Sequence, residues 1–209
     1  MEIKKVLILV GVLITVVVVF ILFRGDSNSL KNIKNYPSLG TNIMAFGDSL
    51  VQGIGSSGGG GFVSILSRQL GLPIENLGRG GDTTATALTR LDEVTKRDPK
   101  IVLILLGGND YIRRISKEET FSNLGMIISS IQDRGAIVIL LGVRGGVLKD
   151  NYKNDFKELA KKYKTAYIPN VLDGLIGSPN LMSDTIHPNN EGYQIIADRI
   201  YPVIKSLLN

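Results

Sequence analysis

The residues best suited to chemistry are a serine, an aspartate and a histidine that lie far apart in the chain. Ser49 stands in the tetrapeptide Gly47-Asp48-Ser49-Leu50, and His187 is the only histidine. A serine hydroxyl is a weak nucleophile that needs a base within hydrogen-bond reach, and His187 is the one conventional imidazole base available. Asp184, three residues before the histidine, can orient the ring through Nδ1. These residue types predict nucleophilic attack on a carbonyl carbon.

Two glycine-rich segments could supply donors to the oxyanion that such an attack creates. One runs from Asn76 to Thr83 and the other is Gly107-Gly108-Asn109-Asp110. Preorganised donors stabilise developing negative charge, so we expect an oxyanion hole made of the backbone N–H groups of Ser49 and Gly81 and the side-chain amide of Asn109. Glycines in the first segment would let backbone amides face a substrate without side chains in the way.

Short apolar runs alternate with longer amphipathic segments, and together they predict the elements that must position these residues. The expected strands are Ile43–Phe46, Ile74–Asn76, Ile101–Leu106, Ile137–Leu141 and Ala166–Ile168. The expected helices are Phe62–Leu70, Thr84–Thr95, Lys117–Arg134, Asn151–Tyr163 and Asn190–Leu208. Near-continuous apolar strands are typical of a parallel sheet covered on both faces. We therefore predict an α/β fold, a doubly wound domain with three layers, α/β/α.

Ligands of such sheets bind beyond the carboxyl ends of the strands. Three of the segments with candidate chemistry each follow a predicted strand, and the fourth, Asp184–Asn189, precedes the last helix. Taken singly, Ser49 would suit a helix N-cap and His187 a turn before a proline. The order of all four segments favours one shared site.

These four segments match, in order and spacing, the signature blocks of the SGNH hydrolase (GDSL esterase/lipase) family. The resemblance covers the chain from Ile43 to its end, and it is strongest to the bacterial arylesterase, thioesterase I and lysophospholipase branch. The run from His187 to Tyr193 is similar to that branch as well. The resemblance implies a flavodoxin-like sheet of five parallel strands. One departure is the run Gly58–Gly61, which leaves the shape of the acyl pocket open.

The resemblance also assigns roles to individual residues. It implies that Ser49 is the nucleophile, that Asp184 and His187 complete a triad, and that Gly81 and Asn109 are oxyanion donors. The reaction would be hydrolysis of a carboxylic ester or thioester, of the short acyl ester or lysophospholipid type, through an acyl-enzyme that needs no cofactor. The alternatives are an O-acetyl esterase of cell-envelope polysaccharide and a non-catalytic anchored binding module.

The N-terminal region predicts a membrane anchor. The run from Val6 to Phe23 is eighteen residues long and strongly apolar apart from Gly11 and Thr15. As a helix it would span roughly 27 Å, close to the hydrocarbon thickness of a bilayer. Two lysines precede this run and little net charge follows it, which favours the remaining chain outside. No A-x-A-like cleavage site follows the run, so a retained transmembrane helix is favoured over a cleaved signal peptide.

We therefore expect three parts: a membrane anchor at 1–24, a polar linker at 25–40 and the SGNH hydrolase domain at 41–209. The expected location of the domain is extracytoplasmic, either periplasmic or at the cell surface, or secreted if the first segment is cleaved. The expected partner is a small-molecule or lipid ester. The sequence leaves the oligomeric state open.

Composition and motifs argue against other classes of protein. The net charge is +5, but the basic residues are scattered, so no nucleic-acid partner is expected. The chain lacks cysteine and has one histidine, which makes a metal site improbable. Gly53–Gly58 fits G-x-G-x-x-G, yet about six residues separate it from the strand ending at Phe46, whereas a dinucleotide fingerprint follows its strand directly. An electron carrier would need a phosphate loop where Ser49 stands.

Overall fold

The structure, a computed structural model, describes residues 30–144 and 152–208. The chain divides after Asn32 into two units, and only residues 30–32 of the first are described. The second unit, Ile33–Asn209, contains the sheet. The predicted anchor at 1–24 and residues 25–29 of the predicted linker lie outside the described residues. Within the described ranges, no helix is both long and apolar enough to cross a bilayer.

The sheet has five parallel strands, as the sequence predicted. They are β1 (Asn42–Gly47), β2 (Ile74–Gly78), β3 (Pro99–Leu105), β4 (Ile137–Leu141) and β5 (Ala166–Ile168). Their order is β2-β1-β3-β4-β5, which is the flavodoxin-like order. In β1, β3 and β4 nearly every residue is buried, because parallel strands in the middle of such a sheet are covered on both faces.

Eight helices lie within the described residues. They are α1 (Ser49–Gln52), α2 (Gly61–Leu70), α3 (Thr84–Leu88), α4 (Asp92–Thr95), α5 (Gly108–Ile112), α6 (Lys117–Gln132), α7 (Lys153–Tyr163) and α8 (Asn190–Leu208). Helix α2 packs against α8, whereas α6 packs against α3 and α7. The chain first crosses from β1 to β2 and then crosses back to β3 on the other side of β1. Because both crossovers are right-handed, these two groups of helices lie on opposite faces of the sheet.

The predicted helix Thr84–Thr95 is interrupted, which corrects the sequence-based prediction. Thr83 caps α3 with a reciprocal capping box, and the chain then leaves the helix before α4 begins. Between the two helices the buried side chain of Arg90 turns inward. It donates to the Asp82 carboxylate from Nε at 2.6 Å and to the carbonyl of Gly47 from Nη2 at 3.0 Å. In a continuous helix Arg90 would lie on the solvated face, whereas here it forms a buried ion pair with Asp82.

Residues 33–40 belong to the second unit, although the sequence predicted them as linker. Asn35 Nδ2 donates to the carbonyls of Gln132 and Ala136, both at 2.8 Å, and Ser38 Oγ donates to the carbonyl of Gly135 at 2.8 Å. The polar side chains that made this segment resemble a linker instead satisfy carbonyl groups at the turn that follows α6.

Candidate active site

Ser49 lies on a sharp turn between a strand and a helix, at the carboxyl end of β1. It is the first residue of α1, and it is nearly buried, with 9% of its surface exposed. The Asp48 carboxylate caps the helix by accepting from the backbone N–H of Leu50 at 3.0 Å. A Cβ at Gly47 would collide with the Leu105 carbonyl oxygen, so glycine is required for β1 to approach β3 this closely. The turn therefore holds the serine hydroxyl beyond the end of the sheet.

The structure brings Ser49, His187 and Asp184 together in one hydrogen-bonded chain. His187 Nε2 lies 2.9 Å from Ser49 Oγ, and His187 Nδ1 lies 2.7 Å from Asp184 Oδ2. The other oxygen of Asp184, Oδ1, accepts the backbone N–H groups of Ile186 and His187, both at 2.7 Å. One carboxylate thus closes the turn before α8 and also orients the imidazole ring.

The two aspartates of this region have opposite electrostatic environments. The hydrogen bond from the His187 side chain, followed by backbone N–H groups, lowers the pKa of Asp184 from 3.8 to about 2. This carboxylate is ionised at neutral pH and can accept a hydrogen bond from Nδ1 of the ring, the arrangement in which Nε2 is the acceptor. Burial raises the pKa of Asp48 from 3.8 to about 7, against the opposing hydrogen bond from Leu50.

The three predicted oxyanion donors lie on adjoining segments. Ser49 and Asn109 line the same pocket, and Asn109 Nδ2 donates to the carbonyl of Asp82 at 2.9 Å, which places it beside the Gly81 segment. Gly81 has a φ of +80°, a left-handed conformation that favours glycine. Among the described residues, the backbone N–H groups of Ser49 and Gly81 have no acceptor. Both are therefore available to a ligand.

A second set of contacts joins the two glycine-rich segments, and the sequence predicted little of it. The fully buried Asp110 carboxylate accepts the backbone N–H of Thr84 at 3.0 Å and its hydroxyl at 2.5 Å. Arg90 holds Asp82 from the other side. Asp110 lies in a segment that the sequence singled out, whereas nothing in the local pattern around Arg90 distinguishes it from a solvated helical residue.

A pocket of about 270 Å³ adjoins Ser49. Its lining is mostly apolar and includes Leu50, Ile112, Val143, Leu172, Ile176 and Ile186. Arg144 also lines it, with its guanidinium 4.0 Å from the exposed carboxylate of Asp173. The glycine-rich run that left the pocket shape open lies elsewhere: Gly58, Gly59 and Gly61 line a separate cavity of about 310 Å³.

No metal site is evident in the part of the chain that the structure describes. No three His, Cys, Asp or Glu residues there form a group that could hold a metal ion.

Comparison with known proteins identifies the family of this chain. Residues 45–195 match the GDSL-like lipase/acylhydrolase family. Esterase TesA of Pseudomonas aeruginosa is 30% identical over 181 residues, covering 79% of this chain and 89% of that protein. Thioesterase 1/protease 1/lysophospholipase L1 of Escherichia coli strain K12 is 28% identical over 179 residues, covering 80% and 85%. A crystal structure of TesA superposes with a TM-score of 0.71 at 28% identity, covering 80% of this chain and 99% of that chain.

The family match spans most of the chain, and the fold has the strand order expected for it. The protein therefore belongs to the GDSL-like lipase/acylhydrolase family, the SGNH hydrolases, and is an enzyme of the esterase class.

Proposed function

We propose that the protein hydrolyses carboxylic esters or thioesters through an acyl-enzyme on Ser49, with His187 as base and Asp184 as the residue that orients it. The observation that carries this proposal is the continuous chain of hydrogen bonds from Ser49 Oγ through the imidazole to Asp184, at 2.9 and 2.7 Å. The first distance is within the range in which a nucleophile and its base exchange a proton, and the second is a hydrogen bond that can orient the base.

In the first step, Ser49 Oγ attacks the carbonyl carbon while its proton passes to His187 Nε2. The carbonyl oxygen becomes an oxyanion, and the imidazolium then gives its proton to the leaving alcohol or thiol as the bond to the acyl carbon breaks. In the second step, water loses a proton to Nε2 and attacks the acyl carbon, and the imidazolium returns that proton to Ser49 Oγ as the bond to the acyl carbon breaks and the acid is released. Asp184 stays ionised throughout and stabilises the imidazolium.

The oxyanion would be held by the N–H groups of Ser49 and Gly81 and by the second amide hydrogen of Asn109, whose first hydrogen bonds Asp82. Unpaired donors in place before the reaction cost no reorganisation when the charge develops, and one such donor contributes about 10²–10³ to kcat.

The pocket beside Ser49 supports an acyl chain as the group that enters the enzyme. Its lining is mostly aliphatic, and each buried methylene contributes about 0.8 kcal/mol to binding. The names of two relatives, esterase TesA and thioesterase 1/protease 1/lysophospholipase L1, accord with esters, thioesters or lysophospholipids as the substrate class. A polysaccharide O-acetyl group would leave most of this apolar surface unused, which makes that alternative less favoured.

We also propose that the domain acts outside the cytoplasm, on the basis of the apolar run Val6–Phe23 and the two lysines before it. An anchor there would place the catalytic domain near lipid substrates. Protease accessibility of the domain in spheroplasts, whose outer envelope layers have been removed, compared with lysed cells, tests this placement: protection in spheroplasts would contradict it.

The first test of the proposed chemistry is covalent labelling of the purified full-length chain with a fluorophosphonate. We expect labelling in wild type and in the control Ser206→Ala, and none in Ser49→Ala or His187→Ala. A wild type that folds yet neither labels nor hydrolyses small esters would favour the non-catalytic binding module.

Substrate class is tested separately, by comparing initial rates on p-nitrophenyl acyl esters, an acyl thioester, a lysophospholipid and an acetylated glycan. We expect the acyl esters or the lipid to be preferred. A preference for the acetylated glycan would favour the polysaccharide esterase.

A further inference from the structure

The peptide between Gly80 and Gly81 carries the N–H group that the proposed mechanism uses in the oxyanion hole. Two adjacent glycines leave this peptide free to rotate, because neither residue has a Cβ to restrict it. A rotation that also turns the neighbouring peptides would point the Gly81 N–H away from the substrate. The enzyme therefore needs contacts that hold the two flanking peptides, because their directions limit the direction of the Gly81 N–H.

Gln52 supplies one such contact from the nucleophile side. It is the last residue of α1, three residues after Ser49, and its Oε1 accepts the backbone N–H of Gly80 at 2.8 Å. The base of this side chain is well fixed, since Gln52 N donates to the Asp48 carbonyl at 3.0 Å. The contact is also close: a Cβ added to Gly80 would lie 3.0 Å from Gln52 Oε1.

Arg113 supplies the second contact from the opposite side of the site. It follows α5, the helix that carries Asn109, and its backbone N–H donates to the Asn109 carbonyl at 2.9 Å. Its guanidinium Nη2 donates to the carbonyl of Gly81 at 2.8 Å. Gly81 is thus held on its N-terminal side by a group from α1 and at its own carbonyl by a group next to α5.

Both side chains are exposed, and neither lines the pocket beside Ser49. Neither is part of the hydrophobic core, and neither is placed to touch an acyl chain. What the two share is the short glycine segment that they restrain from two sides.

We propose that Gln52 and Arg113 are positioning residues that fix the direction of the Gly81 N–H, and so align the oxyanion hole with Ser49 and Asn109. This inference rests on the proposed function. It predicts that losing either contact weakens stabilisation of the transition state while leaving binding of the ground-state ester unchanged.

The experiment compares Gln52→Leu, Arg113→Met and the double variant in the full-length chain, with p-nitrophenyl butyrate as substrate. One hydrogen bond contributes a modest net free energy, so each single variant should lower kcat by about 3- to 10-fold with KM unchanged. The double variant should approach the loss of a whole donor, about 100-fold. Gln52→Glu retains an acceptor oxygen for the Gly80 N–H and should recover most of the kcat lost in Gln52→Leu.

The matched controls are Gln69→Leu and Arg134→Met, which remove the same groups from exposed positions elsewhere. Thermal unfolding of every variant separates loss of positioning from loss of fold. The proposal is overturned if the double variant keeps wild-type kcat, if Gln52→Glu is as slow as Gln52→Leu, or if KM rises while kcat stays constant.

Ser49→Ala is measured in parallel to keep the two proposals apart. An active Ser49→Ala enzyme would refute the proposed function itself. An inactive Ser49→Ala enzyme beside fully active Gln52 and Arg113 variants would refute only the positioning roles.

Discussion

Replacing Asp184 with asparagine would separate the two tasks that this side chain performs. Oδ1 accepts the two backbone N–H groups of the turn, and Oδ2 faces the imidazole. An asparagine that keeps its oxygen on the turn must place its NH₂ group against His187 Nδ1. That nitrogen then has to accept, so the ring proton moves to Nε2, and Nε2 presents a donor to Ser49 where the reaction needs an acceptor.

We expect Asp184→Asn to lower kcat by about 10³–10⁴, because a histidine in the wrong tautomer cannot take the serine proton. This corresponds to roughly 4–5.5 kcal/mol of activation free energy. KM and the melting temperature should stay close to those of wild type, since the turn and the pocket are retained. Asp184→Ala loses the turn contacts as well and should also destabilise the fold, by about 1–3 kcal/mol.

The assay is steady-state hydrolysis of p-nitrophenyl butyrate between about pH 5 and 9, where an imidazole base changes its protonation state. The control is Asp133→Asn, which makes the same chemical change at an exposed carboxylate at the end of α6. If Asp184→Asn kept more than about a tenth of wild-type kcat, the assignment of Asp184 as the orienting residue would be refuted.

Three further predictions concern stability and specificity. The pKa of Asp48 is raised to about 7 in the folded chain from an ordinary 3.8. Between these pH values the folded state binds a proton that the unfolded state has lost. The free energy of unfolding should therefore fall as pH rises through this range, by up to about 4 kcal/mol. Asp48→Asn, which keeps an acceptor for Leu50, should flatten this slope in urea unfolding measured from about pH 4 to 7. Arg90→Met leaves the Asp82 carboxylate buried without its partner and should cost about 3–5 kcal/mol in the same assay. Val143→Phe narrows the apolar pocket and should lower kcat/KM for octanoyl esters about tenfold relative to acetyl esters, equivalent to about two excluded methylenes.

Each of these predictions has an outcome that would contradict it. An Asp48→Asn protein with the same pH slope as wild type would mean that another group causes the slope. An Arg90→Met protein as stable as the exposed control Arg134→Met would contradict the cost assigned to the buried pair. An unchanged chain-length profile in Val143→Phe would mean that the acyl chain binds elsewhere.

The strands could be predicted more closely than the short helices. Strand β4 has the predicted bounds, and β3 lies within two residues of its predicted bounds at each end, because a run of Ile, Val and Leu has few alternatives to a buried strand. Helices α1 and α5 were missed, since four or five residues are too few to show helical periodicity. The interruption of the helix predicted at Thr84–Thr95 was missed because it depends on Asp82 drawing Arg90 inward.

The candidate site was also predicted only in part. Ser49, Asp184 and His187 could be named from residue type, order and spacing, although the serine and the histidine are 138 positions apart. The contacts that support them, from Arg90, Gln52 and Arg113, carried no signal in the sequence, because each is an ordinary polar residue in its local context.

The sequence by itself determined the strands and most of the longer helices, their order, and which side chains have the chemistry for acyl transfer, since these follow from residue type and from periodicity over a few positions. Only the tertiary structure decided how the strand ends meet, which carbonyls Arg90 satisfies, where the apolar pocket beside Ser49 lies and what restrains the Gly80–Gly81 segment. The physical reason is that these distances depend on packing between segments that are remote in the chain, so no local pattern encodes any one of them.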